Sequence, residues 1–434
     1  MSGLSVHLPV GLCVLASLAV MLFANWRLKN LLVAVLVAAA FLAFSVGFSV
    51  RDASSIVWSR IYSLDNFGLE FLVAQIIWFS SQLREAGVMR DLVSAVRSAL
   101  PPRVAMVSLP AAIGVLPMPG GAVFSAPLVD ECDDGGRVSA EVKTRVNYWF
   151  RHIWEYWWPL YPGVLLAVDI SGFDMWRFIV LQLPMTFAAV VIGWFFLMRR
   201  VGLGDGRDGR SVFGGLARVS RAFSPIVVVV AVYAGVRVAF PSVAAFNKYA
   251  PISLGIFAAM AFVQSLRPIA VSGWRDVLLS KRVLKLIFLV EAVRIYGAFI
   301  EAKLPDGVLL VERMRSEMAE YSIPLILIVM LIPFVSGVST GLAIGFVGAS
   351  FPIVMSLIGA DASFAEVAPT LALAYACGYA GMLLSPVHIC LVVTNEHFKT
   401  DLGRSLAKLA LPVGGLLLFA LVYSFFLSWF LGTL

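Results

Sequence analysis

The residues of this chain best suited to chemistry are hydroxyls and glycines set among prolines, inside apolar sequence. In GVLPMPGGAVFSAPLVD, residues 114–130, Pro117, Pro119, Gly120, Gly121 and Pro127 forbid one continuous helix, and Ser125 supplies a hydroxyl. In VSGVSTGLAIGFVGASFPIV, residues 335–354, Ser336, Gly337, Ser339 and Thr340 have the same character. Interrupted backbone in apolar surroundings leaves amides and carbonyls without partners, which is costly in lipid, so each stretch must line a cavity. The chemistry that follows is ion binding. Helix ends present free amides and a positive dipole end to an anion, while unwound carbonyls and hydroxyls can hold a cation such as Na+. For any single small residue the competing reading is tight helix packing. For the two tips as units, broken backbone favours binding.

The elements that position these residues follow from composition. The chain has 434 residues, 60% hydrophobic and 14% charged, with a mean hydropathy of +0.92, outside the soluble globular range. At about 20 apolar residues per crossing, spans fall near residues 8–24, 31–50, 67–83, 152–170, 176–198, 222–240, 251–266, 284–300, 367–394 and 409–431. The two broken stretches become re-entrant hairpins at about 104–129 and 323–357. Residues 199–221, rich in glycine and arginine, read as a cytoplasmic linker between a first half, 1–198, and a second, 222–434. The apolar run at 8–24 has no basic residues before it and reads as an uncleaved span rather than a signal peptide.

The halves echo one another. FLVAQIIWFSSQLREA from Phe71 resembles FLVEAVRIYGAFIEAK from Phe288, Pro127 matches Pro352, and Pro159 matches Pro386. An odd number of crossings separates the echoes, so the repeats are inverted. Basic loops then lie inside and both termini outside a cell inner (plasma) membrane. The fold class expected is an all-α polytopic membrane protein: two inverted-topology repeats, about ten transmembrane helices and two re-entrant helical hairpins. Inverted repeats with discontinuous helices are the sequence signature of secondary transporters.

A second pair of breaks, at Pro159 with Pro162 and at Ser385-Pro386, is expected to face the hairpin tips, bringing Tyr161 and His388. His388 is open between a ligand or proton-coupling role and a satisfied core histidine. His152 and Glu155, beside Trp154, Trp157 and Trp158, read as solvated charges in an interfacial aromatic belt, with a functional pair as the alternative. Glu291 and Arg294 can pair on one helix face. Glu70 and Asp169 read as solvated at the outer boundary, and Asp130, Glu131, Asp133 and Asp134 as an exposed inner loop. Cys13, Cys132, Cys377 and Cys390 have no CxxC spacing, so neither disulfides nor a metal site are expected. No Walker, HExxH, GxSxG or paired-carboxylate pattern occurs, so an enzyme with catalytic residues is not expected, nor a cofactor beyond Na+ or H+ as coupling ion. The formal charge of +7 lies in orienting loops and argues no nucleic-acid partner.

LPMPGGAVFSAP, RHIWEYWWPLYPG and GYAGMLLSPVHICLV resemble the ion-transporter superfamily, and most of all its prokaryotic branch known as domain of unknown function 401. The resemblance implies a scaffold domain, a mobile transport domain carrying both hairpins, an elevator mechanism and a homodimer. It implies no substrate: dicarboxylate symporters of that superfamily carry Ser-Asn-Thr at each tip, where this chain reads Pro-Met-Pro-Gly-Gly and Gly-Val-Ser-Thr. The function expected is secondary active transport of a small organic anion across the lipid bilayer, coupled to Na+ or H+. Alternatives are a cation/proton antiporter, which needs a buried acid near the breaks where the sequence reading places none, and a channel-like membrane component of a larger complex, which needs a continuous polar stripe.

Overall fold

Apolar sequence punctuated by proline and glycine folds here into helices of very unequal length. The computed structural model describes residues 9–115, 121–133, 135–199, 201–202, 220–359 and 362–432, apart from the side chains of Asp65 and Arg282. The chain opens with α1 (Val10–Leu28), α2 (Leu31–Ser45), α3 (Val50–Ile61), α4 (Leu64–Glu85) and α5 (Val88–Ala99). The first hairpin is α6 (Pro102–Gly114) and α7 (Ala122–Asp130), followed by α8 (Ala140–Arg151), a break, α9 (Pro162–Ser171) and α10 (Met175–Gly193), which runs on through a π turn to Met198. Beyond the linker come α11 (Ser224–Ala239), α12 (Pro241–Phe246), α13 (Ala250–Leu266), α14 (Val271–Leu278), α15 (Lys281–Ile300) and α16 (Leu310–Glu320). The second hairpin is α17 (Leu325–Thr340) and α18 (Ala343–Ile358), followed by α19 (Phe364–Leu383), a second break, α20 (Ile389–Phe398) and α21 (Leu402–Phe430). Hairpin, helix, break, helix thus occurs in the same order twice. Among the described residues there is no strand.

By length and composition, three of these helices can each cross a bilayer: α1, α10 with its π turn, and α21; the pair α16 and α17, bent by 117° between them, makes up to four. Shorter apolar helices, α2, α9, α11, α13 and α18, accompany them. Several apolar helices of this kind fit a membrane protein.

The structure departs from the sequence reading in instructive places. Residues 152–170 are not one helix: α8 ends at Arg151, and His152 begins a break that lasts to Tyr161. The sequence of α8, AEVKTRVNYWFR, is too polar to read as a span, yet most of it is buried. Pro127 and Pro352 do not stop their helices but lie inside α7 and α18, where protein neighbours can satisfy the freed backbone. Segments read as loops also fold. α5 buries Val88, Met89, Leu92, Ala95, Val96 and Ala99, one stripe at helical spacing, and leaves Arg90 and Asp91 outward. The acceptor side chain at the start of α1 comes from far away: Glu317 on α16 takes Val10 N–H at 2.8 Å and Gly11 N–H at 2.6 Å.

The expected exposed run at residues 130–134 is partly built into the protein. Asp133 is buried, its carboxylate accepts the backbone N–H of Arg137 and of Val138 at 2.9 Å each, and Lys143 Nζ lies 3.0 Å away. Asp134 lies outside the described residues. Burial works against the charge on Asp133, but the Val138 and Arg137 amides and Lys143 more than offset it and hold the carboxyl below its ordinary value. A folded pKa below the unfolded one contributes stability above the ordinary carboxylate value, about 3.9, and that contribution is lost as pH falls through the folded value. Asp133→Asn is therefore expected to lower the thermal midpoint at neutral pH and to flatten its acid dependence below about pH 5. Acid sensitivity equal to the parent's would rule Asp133 out as its source.

Candidate functional site

The broken backbone is held by side chains from other elements. At the first break, Tyr379 and Tyr375 of α19 donate their hydroxyls to the carbonyls of His152 at 2.5 Å and Glu155 at 2.7 Å. Trp154 Nε1 donates to the Ala111 carbonyl of α6 at 2.7 Å. Interruption alone therefore leaves less for a ligand to satisfy than the sequence suggested, because buried tyrosines take those carbonyls. The described residues that flank the hairpin turns seat on the breaks. A Cβ on Gly114 would fall 2.0 Å from the Arg151 carbonyl, and Tyr161 donates its hydroxyl to the Gly114 carbonyl. In the second half, Gly341 ends α17 at φ +61, and a Cβ there would lie 3.0 Å from His388 N. Ser385 Oγ donates to the Val338 carbonyl at 2.6 Å.

Where the two breaks meet, a charged cluster is enclosed. His152 Nδ1 lies 2.6 Å from the Tyr148 carbonyl, so Nδ1 carries the proton and Nε2 is left as an acceptor. His388 Nε2 is 3.0 Å from that atom and Arg151 Nη1 3.3 Å. Arg151 Nη1 is also 3.1 Å from Cys390 Sγ, and a Glu155 carboxylate oxygen is 3.8 Å from His152 Nε2. Arg151 is 2% exposed and Glu155 7%. The guanidinium faces the first hairpin: a Cβ on Gly121 would fall 2.3 Å from Arg151 Nη2. Four helices, α7, α9, α18 and α20, begin around this cluster, and among the described residues none has a side-chain cap on its N-terminus. α7 packs on α8 and α20, and α18 on α9, where Gly163 touches Ala343. Orphan amides and positive dipole ends thus surround a buried cation, a field that suits an anion.

Of the residues singled out in the sequence, the fold brings Gly121, Tyr161, Ser385 and His388 to this junction. Ser125 and Ser336 are buried, with hydroxyls that have no partner among the described residues. Thr340 Oγ1 turns back to the Ser336 carbonyl at 2.7 Å, and the Ser339 carbonyl accepts Asn25 Nδ2 at 3.4 Å. Gly337 serves packing, since a Cβ there would fall 2.1 Å from the Gly378 carbonyl. Pro159 is half-buried and Pro386 exposed. Pro117, Pro119 and Gly120 lie outside the described residues.

His152 and Glu155 are not solvated belt residues. Trp154 and Trp157 beside them point into protein, Trp157 Nε1 donating to Thr186 Oγ1 at 2.9 Å. The sequence reading missed Arg151 and Cys390. The available signal was R-H-x-x-E placed just before a proline break. A polar seam continues from the cluster along α8 and α20: Asn147 Nδ2 to Thr394 Oγ1 at 3.0 Å, then Thr144 Oγ1 to Thr400 Oγ1 at 2.9 Å.

A second buried network replaces the expected Glu291–Arg294 pair. Arg294 Nη1 lies 3.3 Å from Asp169 Oδ2, with both side chains 7% exposed, and Lys248 Nζ is 2.8 Å from Asp169 Oδ1. Glu291 instead accepts Asn66 Nδ2, which also reaches Glu70 at 3.4 Å. Asp169, expected to be solvated, is buried because its partners come from the other half of the chain.

An all-helical build among the described residues, with several apolar helices, fits a membrane protein, and its two breaks enclose a charged junction. The chain belongs to the family described as "Protein of unknown function (DUF401)", which matches residues 10–426. A search of the curated proteins found no match.

Proposed function

We propose that the chain is a secondary active transporter for a small organic anion, with Arg151 as the charge that receives it and Na+ or H+ as the coupling ion. The observation that carries this reading is the buried Arg151 guanidinium at the junction of two breaks and two hairpin tips, among four uncapped helix N-termini. Burying a cation is costly, and dipole ends of the same sign add to the cost. An anion offsets both, and a carboxylate can take the planar guanidinium through two parallel hydrogen bonds. The Ser125 and Ser336 hydroxyls remain for the rest of the substrate or for Na+.

The same proposal includes the two inverted repeats, about ten spans, membership of the ion-transporter superfamily, both termini outside an inner membrane, and a homodimer working as an elevator. The twofold order of hairpin, helix, break and helix supports it. So does the packing of α7 on α20 and of α18 on α9, which ties both hairpins to both broken helices as one unit, with α4, α13 and α15 as scaffold. The test is the thermal midpoint of the purified protein against small carboxylates, oxyanions and neutral metabolites, with and without Na+ and across pH. A ligand present at 100 times its Kd stabilises the folded state by about 2.7 kcal/mol. A shift from one anion that requires Na+ supports the symporter; no shift from any anion counts against it. Gly121→Leu is expected to abolish that shift by driving Arg151 aside, while the amount of protein in the membrane stays unchanged.

A cation/proton antiporter is the second reading, favoured by Glu155, a buried acid beside the first break. Shifts that follow cations or pH without any anion would select it.

A further inference from the structure

We propose that His152, His388 and Cys390 form a binding site for one soft monovalent metal ion, with the coordination chemistry of Cu(I) or Ag(I), which staples the first helix break to the second. The inference does not rest on the anion reading and is read by a different experiment.

One nitrogen from each imidazole and the thiol sulfur lie within 4.8 Å of one another, all three residues buried. Metal bonds of about 2.0–2.3 Å nearly span such separations. His152 is already oriented as a ligand. Its Nδ1–H on the Tyr148 carbonyl at 2.6 Å turns the Nε2 lone pair toward His388 and Cys390, the arrangement by which an outer carbonyl fixes tautomer and ring in metal-binding histidines. Arg151 Nη1, 3.1 Å from Cys390 Sγ, is placed to donate to a thiolate. Thiolate with imidazole is a soft donor set that takes Cu(I) or Zn rather than Mg or Ca. The expectation of no metal site rested on the absence of local cysteine spacing. The fold builds this one from residues 236 positions apart.

Charge decides between the soft ions. Arg151 brings one positive charge and Glu155 one negative. Binding forms the metal–sulfur bond and sends the Cys390 thiol proton to solvent, while the proton held between the two Nε2 atoms moves to His388 Nδ1. A monovalent ion in place of the thiol proton leaves the cluster neutral. A divalent ion leaves one uncompensated positive charge in a buried site, which is heavily penalised.

The test uses the full-length chain with Cys13→Ser, Cys132→Ser and Cys377→Ser, so that Cys390 is its one thiol. It is purified in detergent and titrated with Ag(I) in chloride-free buffer, and bound metal is counted after dialysis. One ion per chain is expected, with a raised thermal midpoint. Cys390→Ser should bind none, and His388→Gln, which removes a ligand outright, should weaken binding by at least the roughly 10- to 100-fold that loss of a ligand's outer partner gives. Equal binding by the His152→Gln/His388→Gln protein would show capture by the thiol alone and overturn the site, as would no binding by a folded Cys390-only chain. Zn(II) held as tightly as Ag(I) would overturn the monovalent assignment. If the triple-serine chain fails to fold, the unmodified chain and its Cys390→Ser and double-glutamine variants are compared, and the site requires the count to fall by one ion in each variant.

Discussion

Arg151→Ala is expected to remove the stabilisation that an anionic ligand gives, and with it transport, while the protein still folds. The guanidinium is the buried cation of the junction, touching Cys390, His152 and the face of the first hairpin at Gly121. Truncating one member of a buried charge pair costs about 2–5 kcal/mol of binding, a loss of roughly 30- to 5,000-fold in Kd. Arg151→Lys keeps the charge but not the planar fork, and is expected to recover only part of the affinity. Isothermal titration with the anion that shifts the parent's midpoint measures both. Unchanged affinity in a folded Arg151→Ala protein would sink the proposal that this residue receives the substrate. Gly121→Leu should give the same phenotype with the charge retained, which separates the position of the guanidinium from its presence.

The largest loss of stability is expected from Asp169→Asn. Asp169 on α9 is the acid for Arg294 on α15, and both side chains are 7% exposed. Removing one partner of a buried pair costs about 3–5 kcal/mol because the other charge remains buried. Lys248 also meets Asp169, but its side chain is 44% exposed, so water can replace that contact and its share is small. Arg294→Met added to Asp169→Asn should recover part of the loss, since it removes the charge that the first substitution leaves buried and unpaired. Denaturant unfolding in detergent of Asp169→Asn, Arg294→Met and the double variant gives the three values and their coupling. A loss under about 1 kcal/mol for Asp169→Asn would mean the pair is solvated.

These two residues also show what the sequence could and could not reveal. Both breaks were legible, because Pro159 and Ser385-Pro386 act through their own backbone, and backbone constraints are local. Burial of charge was not legible. Arg151, His152 and Glu155 read as a solvated shoulder because their surroundings come from the hairpins and from side chains of Tyr375 and His388, more than 200 positions away. Tyr375 and Tyr379 looked like ordinary members of an apolar span until the fold aimed their hydroxyls at the carbonyls of the first break. Asp169 was placed by its depth along one helix, and depth says nothing about an arginine arriving from another. Cys390 was set aside for lack of a neighbour in sequence, although its neighbours in space are two histidines and an arginine.

The acceptor for α1 imposes an order on biosynthesis. The amides of Val10 and Gly11 are met by Glu317, and Ser17 Oγ by the Tyr296 hydroxyl at 2.9 Å. Those amides therefore wait for their acceptor until residue 317 has been translated. A nascent chain arrested before that point holds α1 against α2 but without that acceptor, so the start of the chain is completed by its second half rather than before it.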